Sequence, residues 1–486
     1  MHYTASYRRH GKCVVVCHAA LRGTASRSGS DRRFEAAFAR IKQNRATKKK
    51  WRTTMKRKSG AGLLAGAMLG LCTAQASAIG ITTSEGWGLS LRGFVNARAD
   101  YDNRDLGNSE PLFPARSGSA QGDQSTFRFS PNMTQIGFGL KAPPGEIEHS
   151  AYIEFDFLDE SASPPNRPNT ASPRLRHAYW ATTWGEGHSL LVGQTNVLFG
   201  DRLPDMMFDN LNLALGSLFG REAQVRYTYV SPVSSGSNMV YAVSVNAPNS
   251  GLFNQGTDTA ERTATPFLHA KIAFQTDALG KAAYFEFEDG ADVPAEIALT
   301  GFYGRERVGR LAGPGGTEEV DAKGVAVSGV LPVIGIRNGQ RAGSLSLMAQ
   351  AWFVSNGDSY FGGNGQGIYE TSTGQVDAIE GKGFFVTGKY FFTEKTNLTL
   401  IYSYEKNDLN DLTNAGTPFR IASGLFTDSV FGAPGVAKAR TANATLWFHP
   451  LKQVYAGLGY DYRYVDYNDG ANGNNSRVSG TLFYNF

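Results

Sequence analysis

The sequence predicts an all-β fold, a transmembrane antiparallel β-barrel of 16 strands with long extracellular loops and short periplasmic turns. Three observations carry this expectation. From Leu89 onward the chain runs in segments of about ten residues that alternate apolar and polar side chains. The connections between these segments alternate long and short. After Ala78 no stretch approaches the roughly 20 apolar residues that a membrane helix needs. A chain without such a stretch still crosses a bilayer if it closes a sheet on itself, because every backbone polar group is then paired.

The alternation follows from a wall with lipid on one face and water on the other. Leu398, Leu400, Tyr402 and Tyr404 alternate with Asn397, Thr399 and Ser403. Ala442, Ala444, Leu446 and Phe448 alternate with Thr441, Asn443 and Thr445. Tyr460, Tyr462 and Tyr464 flank Asp461 and Arg463, and Val225, Tyr227 and Tyr229 oppose Gln224, Arg226 and Thr228. In the final segment Val478, Leu482, Tyr484 and Phe486 face one way, with Arg477, Ser479 and Thr481 on the other.

Strands are expected to begin near residues 89, 126, 148, 174, 188, 221, 237, 264, 294, 320, 341, 379, 395, 437, 452 and 475. Long connections (102–125, 159–173, 200–220, 249–263, 307–319, 356–378 and 407–436) follow the odd strands, and most even strands are followed by short ones such as Gly185-Glu186-Gly187. One place breaks the rhythm: Tyr284-Phe285-Glu286-Phe287-Glu288 reads as strand where a tight turn is expected, which keeps 18 strands as an alternative. A soluble propeller or sandwich would need a blade-length repeat, and would not explain an outward face this rich in Tyr, Phe and Leu.

The formal charge of +5 misleads. Residues 1–78 hold 17 of the 48 Lys/Arg and two of the 43 acids, so residues 79–486 carry 31 bases against 41 acids. The basic character belongs to the leader and is no argument for a nucleic-acid partner. Cys13, Cys17 and Cys72 also precede residue 79, which removes disulfides and thiolate chemistry from the remainder. Met55-Lys56-Arg57-Lys58 reads as the basic start of an export signal, Ser59 to Thr73 as its apolar stretch, and Ala76-Ser77-Ala78 as its cleavage site. The expected organisation is therefore an upstream extension over 1–54 that looks like a misassigned start, a signal peptide over 55–78 and a barrel over 79–486. Lipid attachment at Cys72 is disfavoured, since the residue before it, Leu71, is not small.

Alternation places Arg92, Arg98, Arg128, Arg174, Arg176, Arg226, Arg440, Arg463 and Arg477 in the lumen, with Glu154, Asp156, Lys389 and Asp461. An arc of guanidinium groups across a narrow aqueous pore attracts and orients anions, and its planar donors suit carboxylates and phosphates. The alternative is that the same arginines pair with wall or loop carboxylates and brace the barrel. The constriction is expected in 200–220, whose Leu, Met and Phe content is odd for a solvated loop. Folding inward would bury these side chains and present Asp201, Asp205 and Asp209, with Arg202, to the lumen; packing at a subunit interface is the alternative.

No catalytic constellation stands out, and neither a cofactor nor a metal is expected. His149, His177, His188, His269 and His449 lack metal-ligand spacing. Gly362-Gly363-Asn364-Gly365-Gln366-Gly367 opens no helix and reads as a flexible loop rather than a nucleotide cradle.

The chain ends Tyr484-Asn485-Phe486 on an alternating strand, and outer-membrane barrels commonly end on an aromatic residue. With Arg174-Leu175-Arg176-His177-Ala178-Tyr179, Leu191-Val192-Gly193-Gln194-Thr195 and Gln224-Val225-Arg226-Tyr227-Thr228, the sequence resembles the trimeric porins of Gram-negative bacteria, most nearly the DcaP-like porins. The resemblance covers strands four to six. It implies a homotrimer of 16-stranded barrels in the outer membrane, an inward third loop, and passage of small carboxylates. The coiled-coil segment that often precedes the barrel in that family has no counterpart in Ile79 to Gly88. The expected function is passive diffusion of small hydrophilic solutes with a tilt toward anions, and no enzymatic activity. The alternatives are a channel for sugars or aromatic acids, and a structural or adhesive barrel with an occluded lumen.

Overall fold

The computed structural model describes residues 79–104, 114, 116–119, 122–157, 172–204, 214–248, 262–283, 292–309, 317–357, 359–360, 367–371, 375–409, 419–422 and 435–486. The expected extension, the export signal and Tyr284 to Glu288 lie outside these residues.

The first strand, β1 (Ile79–Thr82), is a short arm, and β2 (Gly88–Asp102) opens the wall. β3 (Thr126–Ser130) and β4 (Gln135–Lys141) share the second lane, both pairing with β2. Next come β5 (Ile147–Asp156), β6 (Arg174–Trp184), β7 (His188–Asn196), β8 (Arg221–Ser234) and β9 (Ser237–Ala247). The longest strands are β10 (Arg262–Ala283), β11 (Asp292–Gly309) and β12 (Thr317–Ile334), followed by β13 (Leu345–Ser355). Two short strands, β14 (Ile368–Thr371) and β15 (Val376–Ala378), precede β16 (Glu380–Thr393) and β17 (Thr396–Asn407). After β18 (Phe419–Ala422), the wall finishes with β19 (Val436–Leu451), β20 (Val454–Tyr467) and β21 (Asn472–Asn485).

Each wall strand pairs antiparallel with its neighbours, and β21 returns to β2, closing a barrel of 16 strands. The 18-strand alternative is excluded: β10 ends at Ala283 and pairs directly with β11. Closure is completed where Gly93 and Phe486 exchange backbone hydrogen bonds at 3.0 and 3.1 Å. Beyond that point β1 takes over the same edge of β2, with Ile79 opposite Leu91 and Thr82 opposite Gly88.

Two local chemistries shift the expected boundaries. Pro131 has no N–H to give the ladder, and a turn closed by Thr134 N–H on the Pro131 carbonyl at 2.9 Å splits β3 from β4. The Thr134 hydroxyl repairs the gap by accepting from Asn96 N–H at 3.1 Å. The strand expected from residue 341 begins at Leu345, because Asn338 and Gly339 hold positive φ and fold 337–344 into a turn. Glu394, in the adjacent turn, clamps it by accepting from the Arg341 and Ala342 amides at 3.0 and 2.9 Å.

Side chains sort by parity as lipid on one face and water on the other require. Phe127, Phe129, Phe138, Val243, Leu299, Leu400, Leu458 and Tyr484 stand exposed on the outer face. Asn96, Asp102, Gln350, Thr399, Thr441 and Arg477 are buried on the inner one. Inner glycines make room for rings: a Cβ at Gly304 would stand 2.0 Å from the Phe267 ring. Two of the long connections also meet one another, since β14 pairs with both β15 and β18 in a separate sheet.

Replacing Gly304 by Val is expected to overpack the Phe267 contact and destabilise the barrel by about 1–3 kcal/mol. Urea unfolding of the refolded protein reads this directly, and an unchanged midpoint would rule it out. The two amide donors hold the Glu394 carboxyl below its usual range. Its clamp is therefore complete above the ordinary glutamate value of about 4.3 and is lost as pH falls through the lower folded-state value. Protection of the Arg341 and Ala342 amides from hydrogen exchange should fall in that acidic window, and should be absent at every pH in Glu394→Ala.

Candidate functional site

The segment between β7 and β8 turns into the barrel. Val197 and Gly220 pair at its neck through a 3.0 Å backbone hydrogen bond. Val197, Phe199 and Leu218 pack with the inner side chains Phe267, Phe302, Ala322, Trp352 and Val354, and with Tyr360. Leu215 and Phe219 reach Val436, Ala439 and Val465 on β19 and β20. The described apolar residues at the two ends of the segment are thus buried inside the barrel, against β10 to β13 and β19 to β20; Met206, Met207, Phe208, Leu211 and Leu213 lie outside the described residues.

Directional bonds fix the same segment. The Trp352 indole N–H donates to the Gly216 carbonyl at 2.7 Å, and Leu215 N–H donates to the Thr441 hydroxyl at 3.0 Å. Gly216 sits at φ 93°, and a Cβ there would stand 2.6 Å from the Tyr404 carbonyl oxygen. That backbone conformation and that closeness leave only glycine at this point.

Charges pin the other limb. Asp201 pairs with Lys271 of β10 and accepts from the Ser328 hydroxyl at 3.3 Å. Arg202 pairs with Glu296 of β11, which also holds Lys271 at 3.1 Å and accepts from Gln275 at 2.6 Å. Asp201 and Arg202 are thereby neutralised against the adjacent wall. Asp205 and Asp209 lie outside the described residues. Nearby, His269 Nε2 meets the Tyr360 hydroxyl at 2.9 Å, drawing the connection after β13 inward, and Glu222 stands 3.8 Å from the same histidine.

The wall that the loop leaves uncovered carries the arginines. Three are buried against carboxylates: Arg98 on Asp100 at 2.8 Å, Arg463 on Asp461 at 2.8 Å, and Arg477 on Asp102 at 2.8 and 3.0 Å. Arg128 stands 3.9 Å from Asp102 and remains partly accessible. Arg174 grips Asp156 at 2.8 and 3.0 Å, while Arg176 bridges Glu154 at 2.6 Å and Asp156 at 2.8 Å. A bulge between Glu154 and Phe155, opposite His177 and Leu175, lets Arg176 and His177 both serve the inner face. Arg92 lies 5.7 Å over the Tyr152 ring. Arg226 donates to Gln224 at 2.9 Å and to the Asn196 carbonyl, with no carboxylate in ion-pair reach among the described residues. Lys389 is buried on the inner face of β16, 6.0 Å over Phe391.

Arg440 departs from the expected set. It shares its face with Ala442, Ala444 and Leu446, lies 5.3 Å over the outward Tyr464 ring and reaches Asp466 at 3.4 Å. It therefore stands outside the barrel, and strand parity is the reason.

No protein-family model matches the chain, and no curated protein matches its sequence. Among solved structures, 84% of this chain superposes on 99% of the outer membrane channel DcaP of Acinetobacter baumannii, at 22% identity and a TM-score of 0.61. The fold is that of an outer-membrane porin. Looser matches include the anion-selective porin from Comamonas acidovorans (11% identity, TM-score 0.47, 82% of this chain and 100% of that one). OmpF of Salmonella typhi, in complex with daunomycin, is another (14% identity, TM-score 0.47, 84% and 100%).

Within this porin fold, the residues that sequence reasoning passed over are Lys271, Glu296 and Trp352, which hold the inward loop. Parity marks all three as inner-facing, but their partners lie across the lumen in another part of the chain. Lys271→Met is expected to free Asp201 from the wall and weaken loop docking by about 3 kcal/mol. Open-channel current noise should then rise while the barrel still folds; unchanged noise would show that the apolar contacts alone hold the loop.

Proposed function

We propose that this chain is an outer-membrane porin, a passive channel for small hydrophilic solutes with a preference for anions such as carboxylates. The observation that carries the reading is the division of the lumen. The described part of the inward loop is neutralised at Asp201 and Arg202 and packed against β10 to β13, β19 and β20, and the wall it leaves uncovered carries guanidinium groups at Arg92, Arg128, Arg174, Arg176 and Arg226. A solute passing between them meets guanidinium groups on one side and the paired charges of Asp201 and Arg202 on the other. Guanidinium groups of this kind offer planar paired donors to a carboxylate. In this reading residues 55–78 direct export, the long connections face outward from the cell, and the working unit is a homotrimer. The anion preference and the trimer also accord with the resemblance to DcaP-like porins.

The test is planar-bilayer recording of the refolded chain 79–486 under a salt gradient. Stepwise conductance with a zero-current potential of anionic sign is the expected result. A folded barrel without conductance would favour an occluded structural role, and a cationic sign would move control of selectivity to the loop acids. Arg226→Glu is expected to lower the anion-to-cation permeability ratio by at least about twofold, because among the described residues no carboxylate is in ion-pair contact with it. Arg477→Gln should leave the ratio unchanged and reduce folded yield, because its partner Asp102 is fully buried.

A further inference from the structure

The outer face of the barrel carries a second charged feature that solute passage does not use. Cross-strand register sets Lys382 of β16 directly opposite Lys406 of β17, and Lys406 directly opposite Lys438 of β19. All three share the outward parity of Phe384, Tyr404 and Arg440. Arg440 lies one outward position below Lys438, toward the apolar belt. Like charges placed directly opposite in adjacent strands repel. Here three in a row are tolerated with no ion pair to any of the lysines among the described residues. Asp466, opposite Lys438 in register, is engaged by Arg440 at 3.4 Å.

The depth of this row is set by the aromatics beneath it. Phe384 and Tyr404 stand side by side with ring centroids 6.1 Å apart, and Arg440 covers Tyr464. Outward aromatic girdles mark the boundary between hydrocarbon and headgroups. The lysines stand two residues beyond that row, about 7 Å further along the strand, at the end of the barrel that bears the long connections. A comparison lies on the same surface. Arg305 and Arg307 of β11 also face outward, but Asp321 takes Arg305 at 2.9 Å and Glu319 takes Arg307 at 2.6 Å. Among the described residues, one outward basic cluster is therefore compensated throughout, whereas in the other only Arg440 is paired.

We infer that Lys382, Lys406, Lys438 and Arg440 form a binding site for the phosphate-bearing headgroup of an anionic lipid in the leaflet that faces the long loops. The site rests on the outer-membrane reading of the barrel. Four bases on three adjacent strands hold a multiply charged headgroup, while the exposed apolar side chains below, Leu400 and Tyr402 among them, receive its acyl chains. The binding is electrostatic in origin and weakens with salt.

The experiment uses the refolded barrel in zwitterionic detergent micelles doped with diphosphorylated lipid A, with dephosphorylated lipid A and phosphatidylcholine as comparisons. Wild type should bind the diphosphorylated lipid selectively. K382Q/K406Q/K438Q/R440Q should lose about six-hundredfold in affinity, roughly fivefold for each charge removed. R305Q/R307Q should bind within about twofold of wild type. Heat-modifiable gel mobility establishes that each variant is folded, and single replacements such as K406Q serve if the quadruple variant is not. Equal binding by a folded variant lacking the bases would overturn the site. So would full competition by inorganic phosphate at millimolar concentration, which would mean a free-anion site. Bilayer conductance of the same preparations reports on the porin reading separately, so failure of one is not mistaken for failure of the other.

Discussion

Everything in this molecule depends on one constraint: in an apolar solvent no backbone N–H or C=O can be left without a partner. The 16 wall strands meet it only because β21 returns to β2. The seam is finished residue by residue. The last residue, Phe486, bonds to Gly93, and the edge of β2 that continues past it is covered by β1. Even the break at Pro131 is mended by a side-chain hydroxyl. A wall so completely paired has no freedom to choose which residues face inward. Parity, once started at Leu89, determines the inner and outer surfaces alike.

Given those surfaces, the placement of carboxylates decides what each arginine does. Arg98, Arg463 and Arg477 have buried acids at hydrogen-bond distance and hold neighbouring strands or ladder positions together. Arg226 has only neutral acceptors, so its charge stays with the lumen. Bracing thus describes Arg98, Arg463 and Arg477, and the pore lining proposed above rests on other residues, Arg226 first among them. The same rule separates Arg305 and Arg307 from the lysine row on the outside.

Most of the fold was legible in the sequence because period two is a local property. The strands expected at 174, 188, 221 and 237 begin at those residues. The misses are non-local or break the period. Asn338 and Gly339 delayed β13, and the bulge at Glu154 turned two consecutive residues, Arg176 and His177, to one face. Arg440, expected in the lumen, instead follows the parity of Ala442 and Leu446 on its own strand and faces outward. For the site, the apolar composition of 200–220 pointed inward, but its anchors were beyond reach. Asp201 and Lys271 are 70 residues apart, and Arg202 and Glu296 are 94 apart, so only the closed barrel brings them together.

The inward segment is fastened at two separated places, by Asp201 and Arg202 to β10 and β11 and by Leu215 to Leu218 on β13 and β19. Mechanically it is a strut. A hollow cylinder of hydrogen-bonded strands resists stretching around its circumference but flattens easily under side pressure, and an internal strut removes that soft mode. Strand number sets the girth of the wall, whereas in the proposed channel the clearance left for a solute is set by the strut. Evolution can therefore retune the passage by exchanging a few loop residues, without disturbing a single rung of the sheet.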